Sequence, residues 1–180
     1  MGKRKYVSDY AIEDYEDQKG KLRSRRVYRG KYYRFHHPAR EIIRLRYTIL
    51  IVCALVVALL LPLLLSNTAL GRTVYIVIPA VLSFAPVYLL LAGAIRLDPK
   101  LERFTREHRD KTESRIRTAI PILLVFLTTA CFGCLAEYIR GNLTPGELPY
   151  VICLVTALIA SASLLPLRKL ADCDLTEESN

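Results

Sequence analysis

Four stretches of the chain are almost wholly apolar, and the polar residues fall between them. "YTILIVCALVVALLLPLLL" (47–65), "VYIVIPAVLSFAPVYLLLAGAI" (74–95) and "LPYVICLVTALIASASLLPL" (148–167) contain no charged residue. "AIPILLVFLTTACFGCLAEYI" (119–139) contains only Glu137, near one end. A helix on the surface of a soluble protein carries a polar stripe at 3.6-residue spacing, and none of these runs has one. Their lengths of 19 to 22 residues match the roughly 20 that cross a bilayer core as helix. The pattern predicts an all-α membrane protein, a four-transmembrane-helix bundle made of two short-looped hairpins. A soluble reading would have to wrap four all-round apolar helices with the little that remains of a 180-residue chain.

Between the spans the cations are unevenly shared. Residues 1–46 hold 14 Lys and Arg, the loop 96–118 holds 8 and the tail 168–180 holds 2, so 24 of the 26 lie on one side. The other two connections hold only Arg72 and Arg140. By the positive-inside rule both termini and the middle loop are expected in the cytoplasm, with the protein in the cell (cytoplasmic) membrane. A signal peptide is not expected, because the first apolar run follows 46 polar residues and three more spans follow it.

The formal net charge of +9 comes mostly from residues 1–46. A basic arm beside a bilayer is read as meeting anionic inner-leaflet lipids rather than nucleic acid. Within the arm, "EDYEDQKGKLRSRRVYRGKYYRF" (13–35) passes from acidic to basic across Lys19-Gly20. A two-residue turn there would form a β-hairpin over 10–29, with Glu16 facing Arg23, Asp14 facing Arg25, Glu13 facing Arg26 and Ile12 facing Val27. A three-residue loop with Gly20 in a bulge would shift that register by one. An isolated two-stranded ribbon is marginal in water, so the arm either packs on something or is a disordered basic segment. Aromatic rings and cations alternate after it. Arg23, Arg25, Arg26, Arg29, Lys31, Tyr32, Tyr33 and Arg34, followed by Arg44 and Arg46 at the start of the first span, are the expected contacts with lipid headgroups or a protein partner. The same composition suits stacking on single-stranded nucleic acid, but no binding motif surrounds it.

The middle loop opens with Asp98-Pro99, an N-cap and first-turn proline, and predicts a short cytosolic surface helix over 99–113 with Glu102–Arg106 and Arg103–Glu107 pairs. Pro79, Pro86 and Pro121 each remove a backbone donor and mark expected kinks. The hairpins show a candidate internal repeat, with Asn67, Gly71 and Tyr75 matching Asn142, Gly146 and Tyr150. It implies a pseudo-two-fold axis along the membrane normal. Thr129 with Gly133, Ala157 with Ser161 and Ala54 with Ala58 are small residues four apart, suited to close helix approach.

Candidate chemistry is sparse. "CFGC" (131–134) has the C-x-x-C spacing of thiol oxidoreductases, and Cys153 is expected at a similar depth in the fourth span. In span count and this motif the chain resembles small four-helix membrane enzymes that pass electrons from thiols to quinone, which would make Cys131, Cys134 and Cys153 the redox residues. It departs from them in the outer loops, where residues 66–73 and 140–147 contain no cysteine. A thiol among apolar groups packs as a small hydrophobe. Glu137 is the one ionisable residue inside a predicted span, three residues before Arg140, and reads as an interfacial ion pair. The three histidines have no acidic or cysteine cluster beside them, so no metal and no cofactor is expected. Cys173, in the acidic tail, is free or acylated.

The expected function is that of a non-enzymatic accessory, assembly or interaction protein of the cytoplasmic membrane, open to homo-oligomer formation. A membrane thiol–disulfide oxidoreductase is the alternative, and a small transporter or channel subunit the second.

Overall fold

The computed structural model describes residues 9–16, 22–30, 32–35, 37–97, 105–168 and 173–175. Strands β1 (Tyr10–Glu16), β2 (Leu22–Tyr28) and β3 (Tyr33–Phe35) lead into helix α1 (Ala39–Leu65). Then come a single turn α2 (Ala69–Arg72), α3 (Val74–Leu82), α4 (Phe84–Arg96) and α5 (Arg106–Ile139). A 3-10 turn at Pro145–Glu147, α6 (Leu148–Ala162), α7 (Leu164–Leu167) and β4 (Cys173–Leu175) complete the chain. Four helical segments are long and apolar enough to cross a membrane: Ala39–Leu65, Val74–Arg96, Arg106–Ile139 and Pro145–Leu167.

The helices form a closed ring. α1 packs on α6 and α4, both α3 and α4 pack on α5, and α5 packs on α6. Inward positions recur at alternating three- and four-residue steps. On α1 they include Ile42, Leu45, Ile49, Val56, Leu60 and Leu63, and on α5 Ile116, Ile120, Leu123, Leu127, Ala130 and Cys134, all buried. That spacing is the seam of a left-handed helical bundle. Two glycines set the closest approaches to α5. A Cβ on Gly93 would stand 2.9 Å from Ile116 Cγ1, and one on Gly133 would stand 2.7 Å from Ile76 Cγ1. The outward face is equally apolar: Ile51, Val125, Phe132, Ile152 and Ile159 are each more than 60% exposed. An exterior of this kind suits hydrocarbon rather than water.

The small pairs divide unevenly. Ala157 and Ser161 are buried, whereas Thr129, Ala54 and Ala58 face outward. Ala130, one residue along, takes the inward place beside Gly133, because the α5 seam passes through 127, 130 and 134.

The prolines divide as well. Pro79 and Pro121 lie inside uninterrupted α3 and α5, as Pro62 does in α1. The second span breaks at Ser83, three residues before Pro86, where Leu82 loses the donor that residue 86 would have supplied. The fourth breaks in the same way at Ser163, three residues before Pro166. Each serine stays in helical φ/ψ and its hydroxyl donates to the carbonyl three residues back, Ala80 or Ala160, at 2.6 Å. Each span therefore remains one rod with a rung missing. Ser83 lies 8 residues after Tyr75 and Ser163 lies 13 after Tyr150, so these breaks fall outside the register of the candidate repeat.

Two expectations about the polar segments are corrected. Over the described part of the surface helix expected at 99–113, residues 106–113 belong to α5 itself and not to a separate element. Residues 98–104, with Asp98-Pro99, Glu102 and Arg103, lie outside the described residues, and from Arg106 the chain is one 34-residue helix into the third span. No Gly or Pro interrupts 106–120, and the Thr105 side chain caps the helix by accepting from the His108 N–H at 3.4 Å. At 1.5 Å per residue α5 is about 51 Å long, some 20 Å more than a bilayer core requires. The hairpin pairs Ile12 with Arg26, Glu13 with Arg25, Asp14 with Ser24 and Glu16 with Leu22. This register is one residue away from that of a two-residue turn, which is the shift expected of the three-residue alternative; the connection, residues 17–21, lies outside the described residues.

Candidate interaction surfaces and thiol groove

At one end of the bundle three separated parts of the chain meet. β3 pairs antiparallel with β4, placing Tyr33 opposite Leu175 and Phe35 opposite Cys173. The β1–β2 hairpin stacks its aromatic residues into a row: Tyr10 lies edge-on to Tyr28 at 5.3 Å, and Tyr28 edge-on to Tyr32 at 5.2 Å. The Tyr28 phenol then reaches the first turn of α5, where its oxygen accepts from the Arg106 backbone N–H at 3.1 Å. This satisfies one of the unpaired amides at a helix start. Partial burial pushes the Tyr28 hydroxyl above its ordinary value, with the Arg106 N–H opposing, so it stays neutral. Gly30 makes room for it, since a Cβ there would lie 2.5 Å from the Tyr28 oxygen.

Tyr33 is buried beneath the Arg109 guanidinium, whose carbon is 4.7 Å from the ring centre. Arg109 Nε is held in turn by Glu113 Oε2 at 2.9 Å, and Glu113 Oε1 takes Arg117 at 3.2 Å. Glu107 pairs with Lys111 one turn earlier. His108 Nε2 stands 3.0 Å from the Arg96 carbonyl, tying the end of α4 to α5.

Of the expected surface contacts, Tyr33 is therefore internal, because its ring is the platform for Arg109. Arg26, Arg29 and Arg44 are exposed, and Tyr32 and Arg46 are half-buried. Arg23, Arg25 and Arg34 lie on described strands, but their side chains, like Lys31 as a whole, are outside the described set.

The opposite end carries two carboxylates. Glu137 Oε1 accepts from Arg140 Nη1 at 2.9 Å, the same nitrogen reaches the Tyr75 hydroxyl at 2.8 Å, and Asn142 Nδ2 donates to Glu137 Oε2 at 2.8 Å. This is the interfacial pair expected of Glu137, extended to the neighbouring span. Glu147 is only 4% exposed. Its Oε2 accepts from the Thr144 N–H and hydroxyl, each at 3.0 Å, and its Oε1 from the Leu70 N–H at 3.1 Å. It thereby joins the two connecting loops. Sequence reasoning passed over this residue, although Thr144-x-x-Glu147 before an apolar run is the capping-box signature that could have found it.

Between the adjacent halves of α5 and α6 lies a half-open groove of about 250 Å³. Cys131 and Cys134 line it together with Leu135, Tyr138, Leu143 and Leu148 among others. Both thiols are free. Cys153 is a half-buried free thiol on α6 and is not part of that lining. Cys53 is buried on α1, with its sulfur 4.0 Å from the Val87 carbonyl oxygen. The groove therefore brings together two of the three cysteines singled out.

Against known proteins, the chain matches no family model, no curated protein and no solved structure.

Proposed function

We propose that this chain is a four-span integral protein of the cytoplasmic membrane, with both termini on the cytoplasmic side. In this reading it acts without catalysis, as an accessory or assembly protein that presents a folded docking element at its terminal end. The observation that carries the reading is the arm's attachment: Tyr28 on the Arg106 amide, Tyr33 under Arg109, and β3 paired with β4. A segment held in this way offers a partner a shaped surface at little ordering cost. The distribution of 24 of 26 cations supports the orientation.

Affinity purification from membranes tests the role. Deleting residues 1–37 is expected to remove specific co-purifying proteins while the four-span core still inserts; an unchanged set would remove the arm as a docking element. Reporter fusions after Leu70 and after Leu143 test the orientation, and both are expected on the outer side.

The groove favours one second reading, a thiol–disulfide activity using Cys131 and Cys134. It predicts that alkylation of those two residues changes between oxidising and reducing conditions, and unchanged alkylation rejects it.

A further inference from the structure

The outward face of α1 holds a lane that neither reading uses. Arg40, Arg44, Tyr47, Ile51, Ala54 and Ala58 are all exposed, Tyr47 at 60% and Ile51 at 66%. At 100° per residue these six fall within an arc of about 80°. Polarity is graded along it: two guanidiniums, one phenol, then only apolar side chains. The two alanines leave a shallow channel beyond Ile51. From Arg44 to Ala58 the lane runs about 21 Å, more than half of a roughly 30 Å bilayer core, so it covers one leaflet. From Arg44 to the helix end at Leu65 is about 32 Å, which puts Arg44 at the headgroup boundary when α1 spans the core.

Neither Arg40 nor Arg44 has a counter-ion among the described residues. The acidic side chain of that turn, Glu41, is turned to His37, with Oε2 3.1 Å from Nδ1. Two guanidiniums one helical turn apart, without acidic partners, match a phosphate in charge and in donor geometry. Arginine stems lie along apolar surface while their heads stay at the interface.

We propose that this lane binds one anionic phospholipid. Arg40 and Arg44 hold its phosphate headgroup, Tyr47 sits at the glycerol level, and an acyl chain runs over Ile51 along Ala54 and Ala58. The proposal rests on the membrane reading above, and it gives the anionic lipid expected beside the basic arm, with Arg44 among its contacts, one defined place on α1.

The test uses the full chain in bilayers of phosphatidylcholine doped with spin-labelled phosphatidylglycerol or spin-labelled phosphatidylcholine, reading the motionally restricted fraction of each. The wild type is expected to restrict phosphatidylglycerol preferentially. Arg40→Gln with Arg44→Gln is expected to reduce that preference by about fivefold per charge lost, in line with basic residues at an anionic surface. Arg115→Gln with Arg168→Gln removes the same charge elsewhere on the same side and is expected to leave most of the preference. Equal restriction of the two lipids by the wild type would overturn the proposal, and so would equal losses in the two double variants. A second copy of the chain seated on this face would exclude lipid from the lane and would also appear as equal restriction. Failure of the wild type to enter the bilayer would overturn the membrane reading as well, so the two failures are distinguishable.

Discussion

The phenol of Tyr28 and the backbone N–H of Arg106 meet at 3.1 Å across 78 residues of sequence. The first belongs to a hairpin that precedes every span and the second to the first turn of the longest helix. A two-stranded ribbon is marginal by itself, and this contact, together with the buried Tyr33, supplies what it packs on. Tyr28→Phe is expected to weaken the docking by about 1 kcal/mol, the usual net value of one hydrogen bond. Gly30→Ala is expected to do at least as much by pushing the phenol aside. Hydrogen exchange at the Arg106 amide and limited proteolysis of the hairpin measure both. Unchanged protection in both variants would mean that the arm is held by something else.

Glu147 makes a second prediction. Glu147→Ala leaves the Leu70 and Thr144 amides without their acceptor, which costs about 1–3 kcal/mol for a buried group. Glu147→Gln keeps one oxygen acceptor and is expected to lose less. Thermal unfolding in mild detergent should rank wild type, Gln and Ala in that order, and a reversal would remove Glu147 as the tie between the loops.

Close helix approach yields a third. A Cβ on Gly133 meets Ile76 Cγ1 at 2.7 Å and Tyr75 Cδ2 at 3.2 Å, whereas one on Gly146 meets nothing within 4 Å. Gly133→Leu is expected to cost at least the 1–3 kcal/mol or so of ordinary overpacking. Gly146→Ala is expected to be close to neutral. Equal effects in the same unfolding assay would contradict the packing of α3 on α5.

The fourth concerns thiol access. Cys53 is 1% exposed and Cys134 3%, while Cys131 and Cys153 are half-buried. In the folded protein N-ethylmaleimide should modify Cys131 and Cys153 well before Cys53 and Cys134, and unfolding in dodecyl sulfate should equalise the rates. Peptide mass spectrometry reads the order. Early labelling of Cys53 would mean that α1 presents a different face to α4.

How much of this was legible follows from what each solvent demands. Runs of 19 to 22 uncharged residues announce helices because length and polarity suffice for that. The inner and outer faces were not legible, since Leu60 and Leu61 are chemically alike although one is buried and the other 43% exposed. Hence Ala54 and Thr129 were expected at interfaces they do not join. Pro86 announced its break, but Pro79 and Pro121 look the same in sequence and stand in unbroken helix. The hairpin strands were legible from charge order, while the register turned on loop length, which composition does not specify. Tyr33 was expected at a surface because aromatic–cation alternation describes headgroup contacts and an internal ring under Arg109 equally well. Glu147 was not legible as a buried tie because it directly precedes the uncharged run that starts at Leu148, where an acidic residue reads as part of a solvated loop.

The pairing of β3 with β4 sets a schedule for biosynthesis. Tyr33–Phe35 leaves the ribosome ahead of every apolar segment, and Cys173–Leu175 only after the last of them. The small sheet therefore cannot close until all four helices have been made and both flanking segments lie on the same side. A chain stalled before its end, or one in which a single span failed to insert, would keep an open strand at its amino-terminal arm.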